Sequence, residues 1–350
     1  MASSFFSKRQ IILAAALFVL FAFTGCDAIA DLLPDDFPMP GAEREQGTPG
    51  LPPGGGAVVR PGGGITYEPE GQFPVISPGD VRMPATGRDI ISHGGITLDL
   101  TSTSEGVIII RTDDPQTRTA VDVSNIQTGS MDRFFLNPNA ADGDILPLLQ
   151  GTGEYSIRVL TEVANGMFSL VMSETFDVSV DNHLSPFLLP NQYADFRPGS
   201  RVVVLAAEIA GESSSRFDFV RRVYDYIITN ISYDHNFAAA VIQGEISQHV
   251  PNPDETLRRG VGVCFDYASL MAAMLRSQGV PARIEIGWVQ DIYHAWISVY
   301  AQGVGWINFA QFSATNNWIL LDPTTTAGNP GGGFTNPIVA VSSYNVTRIR

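Results

Sequence analysis

The 350-residue chain is short of lysine, of cysteine and of positive charge. Lys8 is its only lysine, so beyond the first few residues no side-chain amine is available as a nucleophile or Schiff base. With 21 Lys and Arg against 36 Asp and Glu, the formal net charge is −15. That balance argues against a basic surface for nucleic acid or anionic lipid. Of the few histidines, His93, His183, His235 and His249 have no partners at metal-ligand spacing and read as surface or structural residues. Cys26 and Cys264 are the only cysteines. A hydrophobic fraction of 44% is nonetheless enough for ordinary cores, and the length allows two domains.

Lys8 and Arg9 precede an apolar run from Ile11 to Phe23. At about 20 Å as a helix this run is short for a membrane span and reads as a secretory signal. It ends in Phe23-Thr24-Gly25-Cys26, which resembles the bacterial lipobox, with Phe23 where that pattern prefers leucine. Residues 1–26 are therefore expected to be a leader, and Cys26 a lipidated residue that ties an exported protein to a membrane. Several acyl chains, at about 0.8 kcal/mol per buried methylene, would make that attachment firm. Residues 27–78 are rich in Pro and Gly, as in Leu51-Pro52-Pro53-Gly54-Gly55-Gly56. Such a stretch buries too little apolar surface to offset chain entropy and is expected to be a tether.

Residues 79–185 carry short alternating stretches such as Ile96-Thr97-Leu98-Asp99-Leu100, and a more buried run at Val107-Ile108-Ile109-Ile110. Asn165-Gly166 stands between two apolar segments and signals a hairpin, with a further strand expected at Phe176–Val180. The spacing predicts a small antiparallel sandwich, with no cluster of catalytic side chains in it. After Pro190-Asn191 the alternation gives way to helical spacing. Ser200 to Ala210 reads as one helix. A second, capped from Ser213-Ser214-Ser215, carries Phe217, Val220, Tyr224, Ile227 and Ile231 as a core stripe.

Gly260-Val261-Gly262-Val263-Cys264 then leads into a third helix through Ala268, Met271, Ala272 and Leu275, stopped by Gly279 and Pro281. A thiolate at a helix N-terminus is favoured by the unpaired N–H groups and the dipole there. Free cysteine is also among the most buried residue types, so Cys264 alone decides nothing. Two later blocks add to it. In Tyr293-His294-Ala295-Trp296-Ile297-Ser298-Val299-Tyr300, alternation puts His294, Trp296, Ser298 and Tyr300 on one strand face. Trp318-Ile319-Leu320-Leu321-Asp322-Pro323 gives a buried strand ending in a carboxylate. Thiol, imidazole and carboxylate are the set that nucleophilic acyl transfer needs.

Gly262-Val263-Cys264-Phe265-Asp266-Tyr267-Ala268, followed by Leu275 to Arg283, resembles the core of the transglutaminase-like superfamily. His294-Ala295-Trp296 and Asp322-Pro323-Thr324 resemble its histidine and aspartate blocks, so the resemblance covers roughly residues 233–326. It implies an α+β, papain-like fold over residues 186–350, with Cys264 as nucleophile, His294 as base and Asp322 as the orienting carboxylate. The main-chain N–H of Cys264 is one natural oxyanion donor. Tyr233 and Trp288 are further candidates, each equally readable as a packed aromatic, and Asp266 reads as a cap near the helix start. The calcium motifs of the animal enzymes are not recognisable, so no metal and no cofactor is expected. The implied partner is a protein or peptide substrate. The triad serves peptidase, amidase, deamidase and crosslinking chemistry alike, and a non-turnover surface scaffold on the same core is the alternative.

Overall fold

The computed structural model describes residues 73–140, 142–164, 166–243, 245–246, 249–289, 292–302, 305–308 and 344–350. Residues 1–72, which hold the expected leader with Cys26 and most of the expected tether, lie outside them, as does Asp322.

Among the described residues eight strands come first: β1 (Ile90–His93), β2 (Ile96–Asp99), β3 (Val107–Thr112), β4 (Thr119–Asn125), β5 (Met131–Phe135), β6 (Asp144–Pro147), β7 (Gly153–Ala164) and β8 (Met167–Val178). They form two antiparallel sheets of order β1-β2-β3-β6 and β5-β4-β7-β8. Alternation decides what each strand buries: Leu98, Ile108, Ile110 and Leu146 from one sheet meet Val121, Phe134, Ile157 and Val159 from the other in one core. The two stretches expected as separate strands at 167–172 and 176–180 are a single strand ending at Val178, paired along its length with β7. The register of this pairing shifts at Val159/Leu160 and at Glu162/Ala164.

The second half begins with α1 (Arg201–Gly211), α2 (Arg216–Asn230), the two-residue strand β9 (Ser232–Tyr233), α3 (His235–Ile242) and α4 (Pro253–Arg259). Next come β10 (Val261–Gly262) and α5 (Cys264–Ser277), then β11 (Ala282–Val289), β12 (Ile292–Ala301), β13 (Gly305–Asn308) and β14 (Tyr344–Ile349). The helix starts are chemically marked. Ser215 Oγ accepts the Asp218 N–H at 3.1 Å, and Asn252 Oδ1 accepts the Glu255 N–H at 2.9 Å with Pro253 at the first helical position. The last four strands make an antiparallel sheet of order β13-β12-β11-β14.

Helix α5 is the axis of this half. Every residue from Asp266 to Ser277 is buried, because α1, α2 and α4 pack on it from one side and β11 and β12 from the other. Its Leu270, Met271, Met274 and Leu275 are each worth about 1.5–3 kcal/mol when removed from water. A helix buried all round must satisfy its polar residues inside. Arg276 does so on main-chain oxygens: Nε donates to Ala282 O at 2.8 Å, and its terminal nitrogens donate to Leu189 O and Arg350 O at 3.2 and 3.0 Å. Burial pulls its guanidinium down to about 9, so it is still charged at neutral pH.

Residues 73–78, inside the stretch that composition assigns to the tether, pack on the helices. Phe73 stacks on Phe219 at 5.2 Å, and the main chain of Ile76 exchanges hydrogen bonds with the Gln278 side chain at 3.0 and 3.1 Å. The Gly/Pro run has ended by then, and Phe73 and Ile76 have apolar surface to bury. Among the described residues no helix is long and apolar enough to cross a membrane.

Candidate active site

The approach to Cys264 is fixed by short main-chain pairings. Helix α4 ends at Gly260 with φ +65°, a left-handed cap that suits glycine. Strand β10 then pairs in parallel with β9: the Ser232 N–H donates to Gly260 O at 2.8 Å and the Asp234 N–H to Gly262 O at 2.9 Å. Tyr233 thereby sits beside Gly262, two residues from the cysteine, and packs against the core around α5.

Cys264 is the first residue of α5, a free thiol and partly exposed while the following turns are buried. The N-cap is Val263, whose side chain has no oxygen to offer the first-turn N–H groups. Only the reverse half of a capping box forms: Asp266 Oδ2 accepts the Val263 N–H at 2.9 Å. Asp266 thus has the capping role expected of it. Its second oxygen is less expected, since Oδ1 meets His249 Nε2 at 2.7 Å. Of the two readings open for His249, surface or structural, the second holds: the side chain is partly exposed but paired with Asp266. It packs edge-on against Phe237 at 4.7 Å and Phe265 at 6.5 Å.

Strand β12 begins at the same end of the domain. Burial pushes the Tyr293 hydroxyl up, and the negative charge of a Cys264 thiolate is among the lesser causes acting in the same sense. His294 is buried at 4% exposure. Along β12 the side chains alternate. Ala295, Ile297 and Val299 join the core around α5, while His294 lies nearly parallel to Trp296 (centroids 6.2 Å, 22°). Trp296 in turn donates to Glu285 Oε2 at 2.7 Å. The cross-strand neighbour of His294 is Gly287, which brings no side chain against the imidazole. Trp288 is 39% exposed and meets the Tyr293 ring at 5.2 Å.

Tyr233 and His249 thus stand with Cys264 at the start of α5, and β12, the strand that carries His294, packs on the same helix. Asp322 lies outside the described residues. His249 was missed in the sequence because nothing in its local spacing points to Asp266, 17 residues on.

Residues 204–310 match the family model of the transglutaminase-like superfamily, a segment that contains Cys264 and His294 and stops short of Asp322. "Uncharacterized protein YebA" of Bacillus subtilis (strain 168) is 26% identical over 162 residues, which is 41% of this chain and 19% of that protein. The chain therefore spans about a fifth of the length of that curated relative. Among solved structures, one described as a "Putative Cysteine Protease" from Cytophaga hutchinsonii is 17% identical, with a TM-score of 0.35 over 66% of this chain and 76% of that one.

Proposed function

Residues 204–310 belong to the transglutaminase-like superfamily, and from that premise we propose that the protein is a thiol enzyme of acyl transfer. In this reading Cys264 is the nucleophile, His294 the base and Asp322 the carboxylate that orients the imidazole. The observation that carries it is the position of Cys264: a partly exposed thiol on the first residue of a helix that is buried from Asp266 onward and on which β12, the strand of His294, packs. Cys264 Sγ bonds to the carbonyl carbon of a glutamine or peptide amide, and its proton passes by way of His294 to the departing nitrogen as the C–N bond breaks. Water attacking the thioester releases a carboxylic acid and restores the thiol, whereas an amine gives a new amide. The main-chain N–H of Cys264 serves the oxyanion, with Tyr233 and Trp288 as further candidates.

The same reading places the enzyme outside the cytoplasm, held to a membrane by acyl chains on Cys26, with residues 27–72 as the tether and the strands of residues 79–185 as a separate sandwich domain. Its substrate is a protein or peptide.

Alkylation by iodoacetamide at mildly acid pH tests the nucleophile: Cys264 is expected to react faster than free cysteine, and equal rates would count against it. Incubating the soluble protein with a peptide library, with and without a primary amine, then separates hydrolysis from transfer by mass spectrometry. No change in any peptide, matched by Cys264→Ala, would shift the reading to a non-turnover binding module.

A further inference from the structure

One histidine that the mechanism above does not use is fastened to the first turn of α5. We propose that His249 is a positioning residue for Cys264: it holds the Asp266 carboxylate, and that carboxylate holds the turn on which the thiol stands. The inference rests on the reading of Cys264 as nucleophile.

Asp266 is 6% exposed, so each of its oxygens needs a donor. The Val263 N–H serves Oδ2 at 2.9 Å and His249 serves Oδ1 at 2.7 Å. With both oxygens claimed, the carboxylate is held against the main chain beside Cys264. The fit beneath it is equally close. A Cβ added to Gly262 would lie 2.6 Å from Asp266 Cβ and 3.1 Å from its Oδ2, so β10 is laid directly against this side chain. His249 is located in turn by the Phe237 ring. The Phe237 N–H donates to Asp234 Oδ1 at 2.9 Å, and Asp234 follows Tyr233, the strand partner of Gly262. The contacts close a circuit through β9, α3, His249, Asp266 and β10 that encloses the entry to α5. Loss of the His249 donor frees one side of the carboxylate and with it the Val263–Cys264 main chain, whose N–H the acyl-transfer reading uses. Misplacing reacting groups by about 1 Å can cost about 100-fold in rate.

Glutamine and asparagine separate this role from bulk packing. Gln at 249 carries its amide nitrogen about where Nε2 stands, whereas Asn carries it about where Nδ1 stands, short of Asp266. Iodoacetamide rate constants for Cys264 would be measured on the full folded chain for wild type, His249→Gln and His249→Asn, with thermal unfolding run alongside. H249N is expected to react between about 10- and 100-fold more slowly than wild type, and H249Q within about threefold of it. His249→Ala, a second variant without a donor, is expected to follow H249N and decides the matter if H249N does not fold. A purely structural role would lower the unfolding temperatures without separating Gln from Asn in rate. Equal rates for wild type and H249N, or equal slowing by Asn and Gln, would overturn the positioning role and leave the nucleophile standing. A wild type no faster than free cysteine would overturn both.

Discussion

Gly287 stands opposite His294 across β11 and β12, and a Cβ on Gly287 would overlap the carbonyl of Asn345. Strand β14 reaches this point through a bulge. Ile286 pairs with Arg348 and Gly287 with Val346, which leaves Thr347 as the extra residue, its Oγ1 donating to Ile286 O at 3.1 Å. The obstacle to a side chain at 287 is therefore backbone, which cannot swing aside as a flexible side chain would.

Gly287→Ala is accordingly expected to displace β14 and to cost about 1–3 kcal/mol, the usual penalty for overpacking. The loss extends beyond the strand, because Arg350 after β14 exchanges main-chain hydrogen bonds with Ile284 and accepts from Arg276. Urea unfolding checks this: the midpoint should fall with little change in slope.

The parts of this fold that were legible in the sequence are those fixed by neighbours along the chain. Ser215 announces a helix start, Asn165-Gly166 announces the pairing of β7 with β8, and β12 shows its alternation directly. Strands β4 and β5 were not, in part because Asp122 interrupts the apolar pattern of β4. It is buried there with Arg133, opposite it on β5, forming two hydrogen bonds to its carboxylate at 2.6 and 2.9 Å. Helix α5 read as apolar on one face and is buried from Asp266 to Ser277, with Arg276 reaching Leu189 and Arg350 and Asp266 reaching His249, partners that local spacing does not point to. The same limit applies to the site. The family blocks mark Cys264 and His294, but the pairing of His249 with Asp266 depends on how α3 and α4 fold back, and local spacing does not encode that.

Asp144 gives the sandwich a pH dependence of defined sign. Its oxygens accept from the Asn137 N–H and from Gln192 Nε2, each at 2.8 Å, yet burial outweighs these bonds and raises its carboxyl from 3.8 to about 6. Between those values the folded chain binds the proton more tightly than the unfolded chain does. The stability this group contributes is therefore fully present below about pH 4 and is lost as pH rises through about 6. The change has an upper limit of about 3 kcal/mol. Unfolding free energies of wild type and Asp144→Asn, compared across pH, should show wild type gaining on the variant as pH falls through this interval. Rearranged hydrogen bonds in the variant shift the whole curve without altering its slope, so a flat difference would contradict the prediction.

Trp296 and Glu285 face each other across β11 and β12, both 2% exposed, and the indole N–H donates to Oε2 at 2.7 Å while Arg283 Nε donates to Oε1 at 2.8 Å. Trp296→Phe keeps an aromatic ring beside His294 but removes the donor from one oxygen of a buried carboxylate. An unpaired buried acceptor costs about 1–3 kcal/mol, and more when it is charged. The variant is expected to lose at least that much in urea unfolding. Adding Glu285→Gln should then cost less than it does in the wild-type background, because the oxygen it neutralises has already lost its partner. The coupling is expected at about 1–3 kcal/mol in a double-mutant cycle. If the indole N–H serves the strand pair rather than the imidazole, W296F will be less stable yet alkylate at Cys264 at close to the wild-type rate while folded. A slowed rate with unchanged stability would instead assign Trp296 to the orientation of His294.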